Sequence, residues 1–116
     1  LQGYLFDQLQ VNDQQVAYLV VDRATQDRLH VEPQQVHSIV GTPGRLKGVL
    51  TCVIFVQQAD DTYREHFRSK GPIINELAKQ HDGGGHPLAS GAKAADQAEI
   101  DIIIAELSAL AAQYTE

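Results

Sequence analysis

The sequence predicts an α/β (α+β) fold in which helices pack on a small mixed β-sheet of about five strands. Three observations support this class of fold. Apolar runs typical of strands alternate along the chain with segments of helical periodicity. Short polar turns join some neighbouring strands as hairpins, and the run "VLTCVIFVQQ" is apolar enough for a strand covered on both faces. With 116 residues, of which 43% are apolar, the chain is long enough to bury the core of one domain.

The first half of the chain predicts a hairpin followed by a helix. "LQVNDQQVAYLVV" places a turn near Asn12 and its stronger strand at Val16–Val21. In "EPQQVHSIVG", Pro33 suits the first position of a helix, and Gly41 suits the residue after its end. A turn-rich stretch, "GTPGRLKG", then leads into the apolar strand. Cys52 lies within that strand, so we expect a buried thiol rather than a nucleophile or a metal ligand.

The stretch "YREHFRS" predicts a second strand, antiparallel to the apolar one if "QADDT" forms a hairpin turn. Period-two alternation divides its side chains between two faces. One face carries Tyr63, Glu65 and Phe67, and the other carries Arg64, His66 and Arg68. The second face is a row of basic or potentially basic groups, which either meets only solvent or binds an anion.

Two helices and a brief strand complete the predicted domain. "INELAKQH" predicts a helix that begins near Pro72, and "LASGA" predicts a short strand. Asp96 and Glu99 have the spacing of a capping box, and the helix that they open extends to about Tyr114. The apolar residues expected to face the core are Ile73, Ile74, Leu77 and Ala78 in the first helix and Ile100, Ile103, Ile104 and Leu107 in the second.

The stretch "HDGGGHPLASGAKA" contains three consecutive glycines, which lose more conformational freedom on folding than other residues. A linker would be longer and richer in serine, so two alternatives remain. The glycines either allow tight packing at a turn, with Gly83 as a left-handed residue at the end of the helix, or Gly84 and Gly85 let main-chain N–H groups approach an anion. Pro87 would then open a turn of helix behind them. In the second case His86 could donate a hydrogen bond to a phosphate oxygen or stack on a base.

A metal site at the same stretch is a further alternative. His81 and His86 are five residues apart with Asp82 between them, and zinc sites use histidine pairs at such distances. The remaining histidines are scattered along the chain, and the single cysteine has no cysteine partner. We therefore predict no metal site in this chain.

Charge is distributed unevenly along the chain. The net charge is −6, which argues against a surface that coats nucleic acid. Residues 64–93 contain five basic residues against three acids, a local charge of +2 that would favour a small anion. Neither an apolar run long enough to span a membrane nor a secretory signal occurs, so we expect a cytoplasmic protein without membrane contact. The sequence lacks methionine, and we interpret it as a fragment, a C-terminal domain of a longer protein.

The run "GGGHPLASGA" resembles the GGGHxxAAG signature of the DHH-associated domain, the C-terminal domain of the DHH phosphoesterase superfamily. "LKGV", "FRSKG" and "INELAKQH" occur in the order that this family shows. The resemblance covers residues 1–116, with 1–8 as the end of the connection to an N-terminal catalytic domain. The spacing is most similar to that of the bacterial oligoribonuclease and 3′-phosphoadenosine 5′-phosphate (pAp) phosphatase branch, the nano-RNases.

The resemblance implies an enzyme that hydrolyses short RNA, pAp or a substrate like pApA. An N-terminal DHH domain would hold two manganese ions, and this C-terminal domain would bind the substrate without hydrolysing it. The sequence contains no Asp-His-His motif, so we expect neither a catalytic residue nor a cofactor here. The implied substrate-binding residues are Gly83, Gly84, Gly85, His86, Arg68 and Ser69, to which the basic row adds Arg64 and His66. A homodimer of the parent protein is left open.

Three positions and one connection depart from the family pattern. The connection is "GTPGR", which is richer in turn residues than the helical connection usual there. Ser90 replaces an alanine of the signature, and Glu65 and His66 replace apolar and small polar residues. The strand that carries the last two either presents a differently tuned face or lies at an edge of the sheet. Two other functions remain: a cyclic-dinucleotide phosphodiesterase, and a nucleic-acid-binding module like those of RecJ-type exonucleases and alanyl-tRNA synthetases. Membrane spans before Leu1 would favour the phosphodiesterase.

Overall fold

The computed structural model describes residues 8–37 and 47–114 of the chain. Six strands form one mixed sheet in the order β1-β2-β3-β4-β6-β5, and helices pack on it. The strands are β1 (Gln10–Val11), β2 (Val16–Val21), β3 (Thr51–Gln57), β4 (Tyr63–Ser69), β5 (Gly84–His86) and β6 (Ala89–Ala94). The helices are α1 (Arg23–Leu29), α2 (Pro33–His37), α3 (Asn75–Lys79) and α4 (Gln97–Ala112). This architecture confirms the predicted class of fold.

One parallel pair of strands interrupts an otherwise antiparallel sheet. β2 and β3 run parallel, so the chain between them must cross over the sheet, and this crossover contains α1 and α2. Helix α1 was not predicted from the sequence. Asp22 marks its start, since the Asp22 carboxylate accepts a hydrogen bond from the Thr25 N–H at 2.8 Å. The end predicted for α2, at Gly41, lies outside the described residues.

Apolar side chains pack on both faces of the sheet, but the two faces are covered unequally. On one face, α3 and α4 cover β2, β3, β4 and β6 around Phe55 and Phe67. On the other face, the core joins β2 and β3 to the crossover, where Val36 of α2 is fully buried. The described residues that β4, β6 and β5 carry on this second face are half-buried or exposed. These three strands therefore present an open surface, here called the open face.

Several local expectations are wrong. Ile73, predicted to face the core, is 58% exposed, because α3 begins only at Asn75. The glycine stretch contains a strand that was not predicted, β5, and Pro87 lies in the turn between β5 and β6 rather than at the start of a helix. β4 lies between β3 and β6, which excludes the edge position considered for it.

Helix α4 begins as predicted. The Asp96 carboxylate accepts a hydrogen bond from the Glu99 N–H at 3.0 Å. The Glu99 carboxylate reaches back to the Ala95 N–H at 2.8 Å, one residue earlier than in a regular capping box. The buried side chains of the helix include Ile100, Ile103 and Leu107. The helix ends at Ala112, two residues before the predicted Tyr114.

Candidate functional site

The open face is built on the alternation of β4. Glu65 and Phe67 are fully buried under α4, which confirms that Arg64, His66 and Arg68 project from the opposite face of the strand. In an antiparallel pair, residues directly opposite each other project to the same side of the sheet. The residues of β6 opposite these three are Lys93, Gly91 and Ala89, respectively. The register of the sheet thus decides which groups share this face.

One row across the open face joins Arg68 to the histidine of the glycine stretch. Arg68 lies opposite Ala89 on β6, and Ala89 lies opposite His86 on β5. Since neighbouring strands are about 4.8 Å apart, the backbones of Arg68 and His86 are about 10 Å apart, with only a methyl group between them. The His86 side chain is exposed, and Arg68 is half-buried, with Nη1 donating to the Phe67 carbonyl at 2.7 Å. The register therefore places both polar side chains on the same side of the sheet.

Ser69 shapes the turn that follows β4. Its hydroxyl donates to the Pro72 carbonyl at 2.5 Å and accepts from the Gly71 N–H at 3.2 Å. Its main-chain N–H donates to the Leu88 carbonyl at 2.9 Å, which joins the end of β4 to the turn between β5 and β6. The hydroxyl is therefore engaged within the domain, and a contact between Ser69 and a ligand stays a prediction.

Close packing of β5 against β6 explains two of the three glycines. A Cβ atom on Gly83 would overlap the Gly91 carbonyl oxygen and lie 2.5 Å from Cα of Ala92. A Cβ atom on Gly85 would lie 2.9 Å from the Ala89 carbonyl oxygen, and the φ of Gly85, +140°, is one that other residues rarely adopt. Both glycines are required by the fold, so the packing alternative left open by the sequence holds at these two positions.

The third glycine has a different environment. A Cβ atom on Gly84 would meet nothing closer than Cγ of Lys79, at 3.9 Å. Gly84 lies opposite Gly91 of β6, so two adjacent strands carry no side chain at this level of the sheet. Ser90, the departure from the family signature, donates a hydrogen bond to the His86 carbonyl at 2.7 Å and helps to hold the tip of β5. We call the Gly84–Gly91 pair the glycine floor.

A groove of about 360 Å³ lies beside the glycine floor. The residues that line it include Arg64, His66, Asp82, Gly83, Gly91 and Lys93. Gly91 and Lys93 were not among the predicted site residues, although period-two alternation in "ASGAKA" could have placed them on one face. Their partnership with Arg64 and His66 depends on the pairing of β4 with β6, which no local pattern encodes.

His81 is directed away from the open face, toward α4. Its Nδ1 lies 2.8 Å from a Glu99 carboxylate oxygen, and its Nε2 lies 2.7 Å from one of Glu106. Burial opposes the charged ring, but the hydrogen bonds to Glu99 and Glu106 prevail and raise the pKa of His81. The His81 carbonyl also accepts from the Lys93 N–H at 2.8 Å. His81 thus fastens the start of the glycine stretch to α4 and β6.

Glu65 lies fully buried near this histidine. Among the described residues, neither oxygen of its carboxyl group has a hydrogen-bond partner. Burial raises the pKa of Glu65 to about 8, and the opposing influence of His81 does not cancel this effect. Glu65 is therefore mainly protonated at neutral pH and contributes no negative charge under the basic face.

Two further predictions concern the thiol of Cys52 and the absence of a metal site. Cys52 is buried as predicted, and burial raises the pKa of its thiol to about 12, so it is not a nucleophile. Within residues 8–37 and 47–114, no group of three or more His, Cys, Asp or Glu side chains is placed to hold a metal ion. In the same ranges, no helix has the length and apolar character needed to cross a membrane.

Fold and site together define a small α+β domain with one open, basic sheet face and a glycine-rich edge strand. A family model described as "DHHA1 domain" matches residues 13–113. The chain belongs to this family of DHH-associated domains, which confirms the resemblance stated from the sequence.

The chain is similar to curated proteins about three times its length. It is 40% identical over 110 residues to the "Probable bifunctional oligoribonuclease and PAP phosphatase NrnA" of Streptococcus mutans serotype c, covering 95% of this chain and 36% of that protein. It is 37% identical over 114 residues to the "Bifunctional oligoribonuclease and PAP phosphatase NrnA" of Bacillus subtilis, covering 98% of this chain and 36% of that protein.

A solved structure shares the fold. The crystal structure of an exopolyphosphatase-related protein from Bacteroides fragilis superposes with a TM-score of 0.80 at 20% sequence identity. The match covers 96% of this chain and 35% of the other. At this identity the similarity shows the fold alone.

Proposed function

We propose that this domain binds the substrate of a phosphoesterase that hydrolyses short oligoribonucleotides, pAp or both. Membership of the DHHA1 family and the names of the two curated relatives support this class of substrate. The observation that carries the proposal is the register that brings Arg68 and His86 onto one open face, with Ala89 between them. Two donor side chains whose backbones are about 10 Å apart suit a phosphate group and the base or sugar next to it.

In this proposal Arg68 binds a phosphate, since a planar guanidinium can donate two parallel hydrogen bonds to its oxygens. His86 donates to the same phosphate or stacks on the neighbouring base. The glycine floor allows a flat base to approach the main chain of β5 and β6, because neither Gly84 nor Gly91 carries a side chain. The protonated Glu65 beneath the strand leaves the positive potential of this face undiminished.

The hydrolytic step belongs to another part of the full-length enzyme in this proposal. Two manganese ions would activate the attacking water there. The described residues of this chain do not fit such a centre, because they contain no cluster of three or more potential metal ligands. The role of this chain is to bind and orient the substrate.

The proposal is tested by the affinity of the purified chain for pAp. Arg68→Gln should weaken binding roughly tenfold, since one charge-assisted contact is lost. Arg23→Gln is the matched control, because Arg23 pairs with Asp61 in the turn between β3 and β4, at the other end of β4 from Arg68, and the two variants lose the same charge. Isothermal calorimetry or an NMR titration gives the dissociation constants. Equal affinities of Arg68→Gln and Arg23→Gln for pAp would contradict the proposal.

A further inference from the structure

A second pair of basic residues lies on the open face, at the other end of β4. Arg64 on β4 and Lys93 on β6 are directly opposite each other, and both are exposed. Residues in such a pair project to the same side, with Cβ atoms about 5 Å apart. Both line the groove beside the glycine floor. This second row is separate from the row of Arg68, Ala89 and His86.

The second row carries an unfavourable arrangement of charge. Like charges directly opposite each other destabilise a sheet. Among the described residues, neither Arg64 nor Lys93 forms an ion pair within 4.0 Å, and Asp82, which lines the same groove, forms none with either of them. Lys93 interacts at longer range with the exposed carboxylate of Asp60. A bound anion between the two cations would remove their repulsion, so this pair is suited to a phosphate.

The distance between the two rows selects the kind of ligand that can reach both. Arg64 and Arg68 are four residues apart on one strand, so their Cα atoms are about 13 Å apart. The two phosphates of pAp are separated by a single ribose, which is too short for this span. The phosphates of an oligonucleotide that are two nucleotide steps apart are better matched to it. The glycine floor lies between the rows, where a base can rest.

We propose that Arg64 and Lys93 form a subsite for a phosphate two nucleotide steps from the phosphate bound at Arg68. This inference rests on the proposed function and extends it to the length of the substrate. A trinucleotide such as pApApA occupies both rows. The smaller ligand pAp occupies only the row of Arg68 and His86.

The test compares pAp with pApApA on six forms of the purified chain: wild type, Arg64→Gln, Lys93→Gln, their double variant, Arg68→Gln and a control double variant. The control is Arg23→Gln with Arg28→Gln, which removes the same charge from exposed positions on α1 that do not line the groove. The double variant of Arg64 and Lys93 should bind pApApA roughly tenfold more weakly than the control does, because a charge-assisted phosphate contact is lost. It should bind pAp as the control does, within about twofold. The slope of log K against log salt for pApApA should fall by about 0.7, the value for one phosphate of a single strand that is no longer neutralised.

The outcomes separate this inference from the proposed function. If pAp binding depends on Arg68 while the double variant and the control double variant bind pApApA equally well, the subsite is wrong and the proposed function stands. If pAp and pApApA are weakened equally in the double variant, Arg64 and Lys93 attract anions in general and the subsite is also wrong. If neither ligand responds to Arg68→Gln, the proposed function itself fails. Amide spectra that match the wild type establish that each variant is folded.

Discussion

Replacing Glu65 with glutamine should stabilise the protein at neutral pH. The carboxyl group is fully buried, and among the described residues neither oxygen has a hydrogen-bond partner. Its pKa is raised from 4.5 to about 8, mainly by burial; His81 opposes this shift and Glu99 adds to it. A glutamine has almost the same shape as the protonated glutamate but does not ionise. In the wild type, Glu65 ionises more readily in the unfolded chain, and this lowers the free energy of unfolding. The glutamine variant does not ionise and therefore avoids this loss of stability.

The sign and size of the effect follow from proton binding. Between pH 4.5 and about 8 the folded protein binds more protons at Glu65 than the unfolded chain does, so the free energy of unfolding decreases as pH rises through this window. Each pH unit within it corresponds to about 1.4 kcal/mol. The advantage of Glu65→Gln should grow from near zero at pH 4.5 to about 3 kcal/mol at pH 7, and to about 5 kcal/mol above pH 8.

Urea unfolding at pH 5, 7 and 8.5 measures this difference. The exposed Glu76 supplies the control, since Glu76→Gln removes a carboxylate that is 74% exposed and should change stability by a similar small amount at each pH. His81 also titrates, but it is present in every form compared. If Glu65→Gln and the wild type lose stability in parallel from pH 5 to 8.5, then Glu65 ionises normally and the reasoning is refuted.

Three further predictions concern the glycine stretch, its anchor and catalysis. Gly83→Ala should lower the free energy of unfolding by about 3 kcal/mol, because the new methyl group overlaps the Gly91 carbonyl; an unchanged urea midpoint would show that β5 does not pack as described. The pKa of His81, measured by NMR, should lie above 6.5 and should fall in Glu106→Gln. The stability that protonated His81 adds to the fold should be present below pH 6.5 and lost as pH rises through the pKa of the folded state. A pKa that the substitution leaves unchanged would contradict the described hydrogen bond. The purified chain with manganese should not hydrolyse pAp, and turnover that purifies with the chain would overturn the assignment of catalysis to another part of the enzyme.

Local sequence patterns predicted much of the fold, because they reflect local geometry. The alternation in β4 identified the buried Phe67 and the outward-facing Arg68, since side chains alternate in any strand. The spacing of Asp96 and Glu99 identified the start of α4, because a cap is formed within one turn. The signal for α1 is equally local, since Asp22 caps the helix through the Thr25 N–H, three residues along the chain.

Contacts between distant segments could not be predicted in this way. His81 binds Glu99 and Glu106, which are 18 and 25 residues away, so the sequence showed a histidine near glycines but not its anchor. The pairing of β4 with β6 brings Lys93 beside Arg64, and no periodicity within either strand encodes it. The close approach of β6 also separates the glycines, because a Cβ atom would clash with β6 at Gly83 and Gly85 but would meet no close neighbour at Gly84.

The central claim, that the open face binds a nucleotide phosphate, is tested most directly by mapping pAp on the chain with amide chemical shifts. The shifted amides should cluster at Arg68, Ala89 and Gly84–His86, which lie together across three strands. Amides on the exposed side of α4 should not respond, since α4 packs on the opposite face. Unchanged shifts at Arg68 and His86 with millimolar pAp, or shifts confined to α4, would show that the open face does not bind the nucleotide.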